Sequence, residues 1–184
     1  VTVRADGSSK FAPENRWGYF PSASLGWNIN EENWWKNKAI TLKLRASIGA
    51  TGNQGGIGSY AYQALASGGI NYGGENGLGL TTAGNRDLKW EVATQTNIGV
   101  DASFWRGALS ASVDLFNKDT DNLLYNKPTM ITTGYTTQLC NIGSMNNRGI
   151  EISLAANAGK NNFRWHSDFN ISFIRNKLTK LLDN

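Results

Sequence analysis

The chain has 184 residues, a formal net charge of +4 and a single cysteine, and its length fits one domain. Only 17% of the residues are charged, 21 are glycine and 3 are proline, a composition typical of strands and turns. No apolar run approaches the roughly 18 residues of a membrane-spanning helix. One cysteine excludes an internal disulfide, and the scattered basic residues argue against a nucleic-acid partner.

Apolar and polar residues alternate strictly along six stretches and a shorter opening one, which is the pattern of strands with one apolar and one polar face. In chain order the predicted strands are Val1–Asp6, Trp17–Ile29, Ile40–Thr51, Gln95–Phe104, Leu109–Leu115, Ile150–Asn157 and Arg164–Phe173. Every charge within these strands lies on the polar parity. Because a charge facing hydrocarbon costs about 2–4 kcal/mol at the bilayer midplane, this exclusion favours strands that cross a membrane.

The predicted links alternate between long and short. Long links are expected at about residues 7–16, 52–89 and 118–147, and short ones near 31–38, 106–107 and 159–162. Consecutive antiparallel strands place alternate links at opposite ends of a sheet, so the short turns gather at one end and the long loops at the other. Bacterial outer-membrane barrels have this asymmetry.

Aromatic residues are expected near both ends of the strands, with aliphatic residues between them. Amphipathic rings prefer the headgroup level, so two girdles of rings are typical of a membrane barrel. The rings assigned to the short-turn end are Trp27, Trp34, Trp35, Phe104, Trp105, Phe163 and Trp165, and those assigned to the long-loop end are Trp17, Tyr19, Trp90, Phe116, Tyr125 and Phe173.

The predicted fold is therefore all-β, an antiparallel transmembrane β-barrel segment of about seven strands. Seven strands leave two unpaired edges, which hydrocarbon does not tolerate, and a single bacterial chain closes an even number of strands. We expect the whole chain, residues 1–184, to be part of a larger barrel.

Several blocks in a fixed order carry a resemblance to a known family. The chain resembles the barrel of the SusC-like TonB-dependent outer-membrane receptors of Bacteroidetes over nearly its whole length. The blocks are Arg4–Phe11, Arg16–Ser22, Leu42–Ser47, Thr51–Gln54, Leu88–Glu91, Gln95–Gly99, Asn141–Met145 and Asn147–Glu151.

The resemblance implies a barrel of about 22 strands with an N-terminal plug domain, neither the plug nor the rest of the barrel being in this chain. It implies import of glycans, peptides or similar large nutrients across the outer membrane, energised by the TonB complex through parts absent here. A SusD-like surface lipoprotein is the implied partner on the external loops, together with the nutrient ligand and outer-membrane lipids.

Two groups of side chains are candidates for function. The polar parity is expected to line the lumen with a mixed-sign wall able to hydrogen-bond a plug, formed by Arg4, Lys43, Arg45, Asp101, Asp114, Glu151, Arg164 and Asp168. Rings on the long loops could stack on sugars, grip a peptide or meet a partner, and could equally pack loop against loop. These rings are Tyr60, Tyr62, Tyr72, Trp90, Tyr125 and Tyr135.

No catalytic, cofactor-binding or metal-binding residue is predicted, and the chain is not expected to be an enzyme. The spacing from Gly79 to Gly84 fits a phosphate-binding loop, but Asn85 replaces the required lysine. Asp119 and Asp121 lack the remaining ligands of a calcium loop. His166, the only imidazole, is expected to form hydrogen bonds on the polar face, and Cys140 to be an unpaired loop residue.

Two alternatives remain open at this point. In a soluble carbohydrate-binding β-sandwich, the apolar parity would face a protein core and loop tyrosines would form the site. A hydrolase would need two converging carboxylates, and Asp114, Glu151 and Asp168 lie on three different predicted strands.

Overall fold

The computed structural model describes residues 1–37, 39–160 and 163–181, without the side chains of Ile70, Tyr72, Ile131 and Lys160. The described residues form eleven strands: β1 (Thr2–Gly7), β2 (Trp17–Asn28), β3 (Ile40–Asn53), β4 (Leu65–Tyr72), β5 (Glu75–Thr82), β6 (Glu91–Phe104), β7 (Leu109–Asp121), β8 (Leu124–Pro128), β9 (Thr137–Asn141), β10 (Ser144–Lys160) and β11 (Phe163–Lys180). Short 3-10 turns occur at Pro13–Asn15, Ile29–Glu31, Trp105–Gly107 and Ile131–Thr133. None of the helical segments in this part of the chain is long and apolar enough to cross a membrane.

Seven strands form one antiparallel sheet in the order β1-β2-β3-β6-β7-β10-β11. Each strand of the sheet pairs with the next sheet strand along the chain, so the seven predicted strands are confirmed in number and order. The remaining four strands pair as two hairpins, β4–β5 and β8–β9, each within a long loop.

Both hairpins lie in segments that the alternation predicts to be loops. The β4–β5 segment is rich in glycine and has no regular apolar alternation, and β8 and β9 span only five residues each. At the β4–β5 turn, Gly73 and Gly74 adopt positive φ angles of 62° and 93°, a conformation that glycine adopts without a steric penalty. Backbone pairing, rather than hydrophobic patterning, defines these hairpins.

The strands β6, β7, β10 and β11 run well beyond the alternation at their long-loop ends. For example, β7 continues from Leu115 to Asp121 and β11 continues from Phe173 to Lys180. These extensions carry polar residues on both parities, so they lack the apolar face on which the prediction depended.

One face of the sheet, called the apolar face, carries a row of aligned residues from six strands. Direct pairing links Trp27, Leu44, Val100, Val113, Ile152 and Ile171 across β2, β3, β6, β7, β10 and β11. Val100, Val113 and Ile171 keep 36%, 39% and 37% of their surface exposed. In the described residues no second sheet packs on this row, so the β-sandwich alternative is wrong.

The short links gather at one end, as predicted. At the β6–β7 turn, Trp105, Arg106 and Gly107 have consecutive positive φ angles of 50°, 57° and 93°, which confirms the tight turn expected at 106–107. The β2–β3 link occupies the same end. Residues 161 and 162 of the predicted 159–162 turn lie outside the described part of the chain.

Exposed rings occur at both ends of the sheet, among them Trp17, Tyr19, Phe173, Trp105, Phe163 and Trp165. Two of the predicted girdle rings are elsewhere. Trp90 is buried among the loops. Phe116 shares the parity of Asp114 and lies over Gly149, where an added Cβ would approach its ring to 2.8 Å. Both rings were predicted for the girdle only from their position near the strand ends. Loop packing buries Trp90 instead, and strand parity places Phe116 on the opposite face.

Candidate functional site

The opposite face of the sheet, called the polar face, carries all eight residues predicted for the lumen wall. Strand register and alternation place them there: Arg4, Lys43, Arg45, Asp101, Asp114, Glu151, Arg164 and Asp168. Two adjacent rows hold the centre of the set. Arg45 pairs in register with Gly99, which pairs with Asp114, and Asp114 pairs with Glu151; Lys43 lies opposite Asp101 in the next row.

A three-residue ionic network joins β3, β6 and β7. The Nε atom of Arg45 donates to Asp101 Oδ2 at 2.7 Å and Nη2 donates to Asp101 Oδ1 at 2.9 Å. The same Nη2 donates to Asp114 Oδ1 at 2.9 Å and Oδ2 at 3.0 Å. The planar guanidinium can hold both carboxylates at once because its donors form a fixed fork.

Gly99 provides the space for this network. An added Cβ on Gly99 would clash with Asp114 Oδ1 and lie 2.9 Å from Arg45 Nη2. Because Gly99 separates Arg45 from Asp114 in the register, its missing side chain lets the guanidinium cross β6 and reach β7. Ser112 adds support, since its hydroxyl donates to Asp114 Oδ2 at 2.9 Å.

The network is partly open to water. The side chains of Arg45 and Asp114 are 39% and 28% exposed, so solvent screens the attraction, and exposed pairs typically contribute about 0.2–1 kcal/mol each. Its main structural effect is to fix three charged groups in one arrangement on the polar face. The net charge of Arg45, Asp101 and Asp114 is negative by one, as counted from their formal charges.

The remaining predicted wall residues are spread over the same face. Arg4 Nε pairs with Asp6 Oδ1 at 2.8 Å. On β11, His166 Nε2 lies 2.6 Å from Asp168 Oδ2, and its Nδ1 lies 2.6 Å from Asn157 Oδ1, so the expected hydrogen bonding of His166 is confirmed. No three or more metal-ligating side chains cluster among the described residues.

The polar face forms a depression near the short turns. Its volume is about 450 Å³, and its polar lining includes Lys43, Asp101, Ser112, Ser153, Asp168 and Asn170. Six neighbouring strands, β2, β3, β6, β7, β10 and β11, contribute to it, so this face is the concave one. A concave charged surface can hold water and polar protein segments.

A small hydrophobic core fixes the long loops at the other end of the sheet. It comprises Phe11, Phe20, Ile57, Ala61, Leu88 and Trp90, with Ala50, Val92, Leu124 and Leu139 packed against it. The ring of Trp90 lies 5.0 Å from that of Phe11 and 5.6 Å from that of Phe20, and its Nε1 donates to the Arg16 carbonyl at 3.3 Å. Segments from two loops and β2 thus share one buried cluster.

Asparagine side chains connect the two longest loops. Asn141 Nδ2 donates to the carbonyls of Lys89 and Asn122, each at 2.9 Å, while its Oδ1 accepts from the Lys89 backbone N–H at 2.7 Å. Asn85 Nδ2 donates to the Leu139 carbonyl at 2.9 Å. These bonds join the segment around residues 85–89 to the segment of residues 122–141.

The structure separates the predicted loop rings into different environments. Tyr60 and Tyr125 are 59% and 47% exposed, and Tyr62 and Tyr135 are half-buried. The side chain of Tyr72 lies outside the described part of the chain. The prediction of Trp90 as an exposed loop ring is wrong. Trp90 is a core residue, because packing against Phe11 and Phe20 leaves only 7% of its surface exposed.

Sequence reasoning missed Gly99, Ser112, Asn85 and Asn141 as parts of these sites. Gly99 carried a signal, since a glycine interrupts the polar parity between Asn97 and Asp101 of a regular strand. Asn85 and Asn141 gave no such signal, because the alternation of side chains says nothing about bonds to distant backbone carbonyls such as those of Leu139 and Lys89.

An antiparallel sheet with one charged concave face, one exposed face that carries an apolar band, and its short turns at one end defines the wall of a transmembrane β-barrel. The comparisons with known proteins agree. The family described as "TonB dependent receptor-like, beta-barrel" matches residues 1–183. The chain is 43% identical to TonB-dependent receptor P39 of Formosa agariphila, covering 100% of this chain and 18% of that protein.

It is also 38% identical to TonB-dependent receptor SusC of Bacteroides thetaiotaomicron, over 98% of this chain and 19% of that protein. A structure of the RagAB peptide importer in its closed-closed state matches with a TM-score of 0.89 and 34% identity, over 98% of this chain and 20% of the matched chain.

The chain belongs to the TonB dependent receptor-like β-barrel family. Its sheet is thus part of a barrel in the bacterial outer membrane, and the chain spans about a fifth of its relatives' length. These relatives are named as receptors and an importer, not as enzymes.

Proposed function

We propose that this chain forms part of the wall of a TonB-energised importer that carries large nutrients such as glycans or peptides across the outer membrane. The observation that carries the proposal is the separation of charge in the sheet. The network of Arg45, Asp101 and Asp114 lies on one face, and the uncharged row through Val100 and Val113 lies on the other. Such a wall suits a water-filled or plug-filled lumen surrounded by lipid.

The polar face then lines the lumen of a barrel of about 22 strands, of which this chain supplies seven. A plug domain from another part of the protein would contact this face. The depression beside Lys43, Asp101 and Asp168 offers donors and acceptors of both signs. Because positive and negative groups are mixed on the polar face, neither sign of charge dominates its contact with the plug. Such a surface suits hydrogen bonds to the plug that form and break.

A SusD-like surface lipoprotein would pair with the external loops, and the TonB complex would engage parts of the protein outside this chain. Similarity to the SusC receptor and to the RagAB peptide importer supports this pairing and energy coupling. The exposed rings of Tyr60 and Tyr125 would contact the nutrient or the lipoprotein, whereas half-buried Tyr62 and Tyr135 would chiefly hold the loops.

The test is uptake by the full-length receptor in its own cells. A strain lacking the receptor should lose growth on one class of large nutrient, glycan or peptide, and regain it with the wild-type gene. Uptake of that nutrient should stop on adding a protonophore, which removes the energy that TonB transmits. Unchanged growth on all tested glycans and peptides, or uptake insensitive to the protonophore, would contradict the proposal.

A further inference from the structure

The apolar face becomes charged abruptly at its long-loop end. On β10, Arg148 lies two residues closer to the long loops than Ile150 and on the same face. On β11, Arg175 lies two residues closer to the long loops than Phe173 and on the same face. Successive residues on one face of a strand are about 7 Å apart. The two arginines therefore stand one step above the uncharged band, at the level where headgroups begin on the loop side.

Arg148 and Arg175 are direct cross-strand partners in the β10–β11 register. Side chains in that relation have Cβ atoms about 4.5–5.5 Å apart, and like charges there repel. Both side chains are exposed, and among the described residues neither forms an ion pair. An anion held between the two guanidinium groups would remove the repulsion.

The nearest carboxylate on this face does not supply that anion. Asp119, one row further toward the loops, accepts from Asn117 Nδ2 at 2.8 Å and from Asn146 Nδ2 at 2.6 Å. These amides bind its two oxygens. The guanidinium groups of Arg148 and Arg175 are left facing outward above the band.

Directly below the arginines the same surface is apolar, and a groove runs between its side chains. A groove of about 570 Å³ is lined by Leu115, Ile150 and Phe173, with Asn117, Arg148 and Arg175 at its upper end. Leu115, Ile150 and Phe173 are 46%, 41% and 60% exposed. A ligand matching this groove needs an acyl chain attached to an anionic group that accepts several hydrogen bonds.

We propose that this groove is a binding site for a phosphorylated lipid of the outer leaflet. Its acyl chains pack on Leu115, Ile150 and Phe173, and its phosphate accepts hydrogen bonds from Arg148 and Arg175. Arginine suits this role because its planar fork matches phosphate oxygens in pairs. The site rests on the orientation assigned under the proposed function, with the apolar face in lipid and the long loops outside.

The experiment uses the full-length receptor purified in detergent and titrated with lipid A, with bound lipid counted by native mass spectrometry. Arg148→Gln/Arg175→Gln should weaken lipid A binding by about tenfold or more, since two charge-assisted contacts are lost. Arg106→Gln, which removes an exposed arginine at the opposite rim, should bind lipid A as the wild type does. Equal binding by the double variant and the wild type would overturn the site.

A second measurement needs no variant. The wild-type receptor should bind lipid A from which the phosphate has been removed about tenfold more weakly than intact lipid A. Equal binding of the two lipids would overturn the role of the phosphate even if the double variant fails to assemble. Failure of this site would leave the proposed import function intact, because uptake and its protonophore sensitivity are measured separately.

Discussion

Gly99 lies beneath the guanidinium of Arg45, and a Cβ at position 99 would come within 2.9 Å of Arg45 Nη2. The gap left by one missing side chain lets one arginine hold carboxylates on two other strands. Gly99→Val should therefore displace Arg45 from Asp114 and destabilise the full-length barrel by about 1–3 kcal/mol, as overpacking usually does. Thermal unfolding in detergent measures this. Gly26→Val, also in the Arg45 row but with no neighbour nearer than 3.5 Å to an added Cβ, should have a smaller effect, and equal effects would contradict the role of Gly99.

Removing the guanidinium should make stability less dependent on salt. Wild-type stability includes two partly exposed ion pairs worth about 0.2–1 kcal/mol each, which salt screens. Arg45→Met loses both pairs and leaves Asp101 and Asp114 without the guanidinium that joins them, so we expect lower stability at low salt and partial recovery at high salt. The melting temperature measured across a series of salt concentrations tests this. Lys43→Met, two residues away on the same face, removes a lysine that forms no ion pair among the described residues and should change that salt dependence less.

Charge on the apolar face should block assembly. Ile152→Arg and Val113→Arg place a guanidinium against hydrocarbon at a cost of about 2–4 kcal/mol near the midplane. The controls are Ser153→Arg and Ser112→Arg, which change the adjacent residues and place the same charge on the polar face. Outer-membrane yield and heat-modifiable electrophoretic mobility of the full-length receptor should fall only for the first pair. Normal yield of both apolar-face variants would reverse the assigned orientation.

Trp90 should behave as a core residue. Trp90→Ala removes a buried indole that contacts Phe11 and Phe20, and such truncations cost about 3–5 kcal/mol. We expect faster proteolysis of the long loops in the variant. Tyr125→Ala, which truncates an exposed ring, should leave loop proteolysis unchanged, and similar cleavage of the two variants would argue against the loop core.

Asn141 should hold two loops together. Asn141→Ala removes three hydrogen bonds to the backbone of Lys89 and Asn122, each worth about 0.5–1.5 kcal/mol. Amide hydrogen exchange should accelerate in residues 85–89 and 122–141. In the matched variant Asn126→Ala, an exposed asparagine of the same loop is lost, and exchange at 85–89 should stay at the wild-type rate.

The sequence by itself determined the seven sheet strands, their two faces and the grouping of the short turns. Those properties follow from side-chain alternation and connection length, which are local. It also placed Arg45, Asp101 and Asp114 on one face, since parity alone decides that.

Only the tertiary structure decided which of these charges meet. Register across β3, β6 and β7 brings Arg45 over Gly99 to Asp114, and loop packing turns Trp90 from a surface ring into a core residue. The pair of Arg148 and Arg175 emerged in the same way, from two residues 27 positions apart that the β10–β11 register places opposite each other. Contacts of this kind depend on the alignment of whole strands, and a one-residue shift in that alignment would replace every one of them.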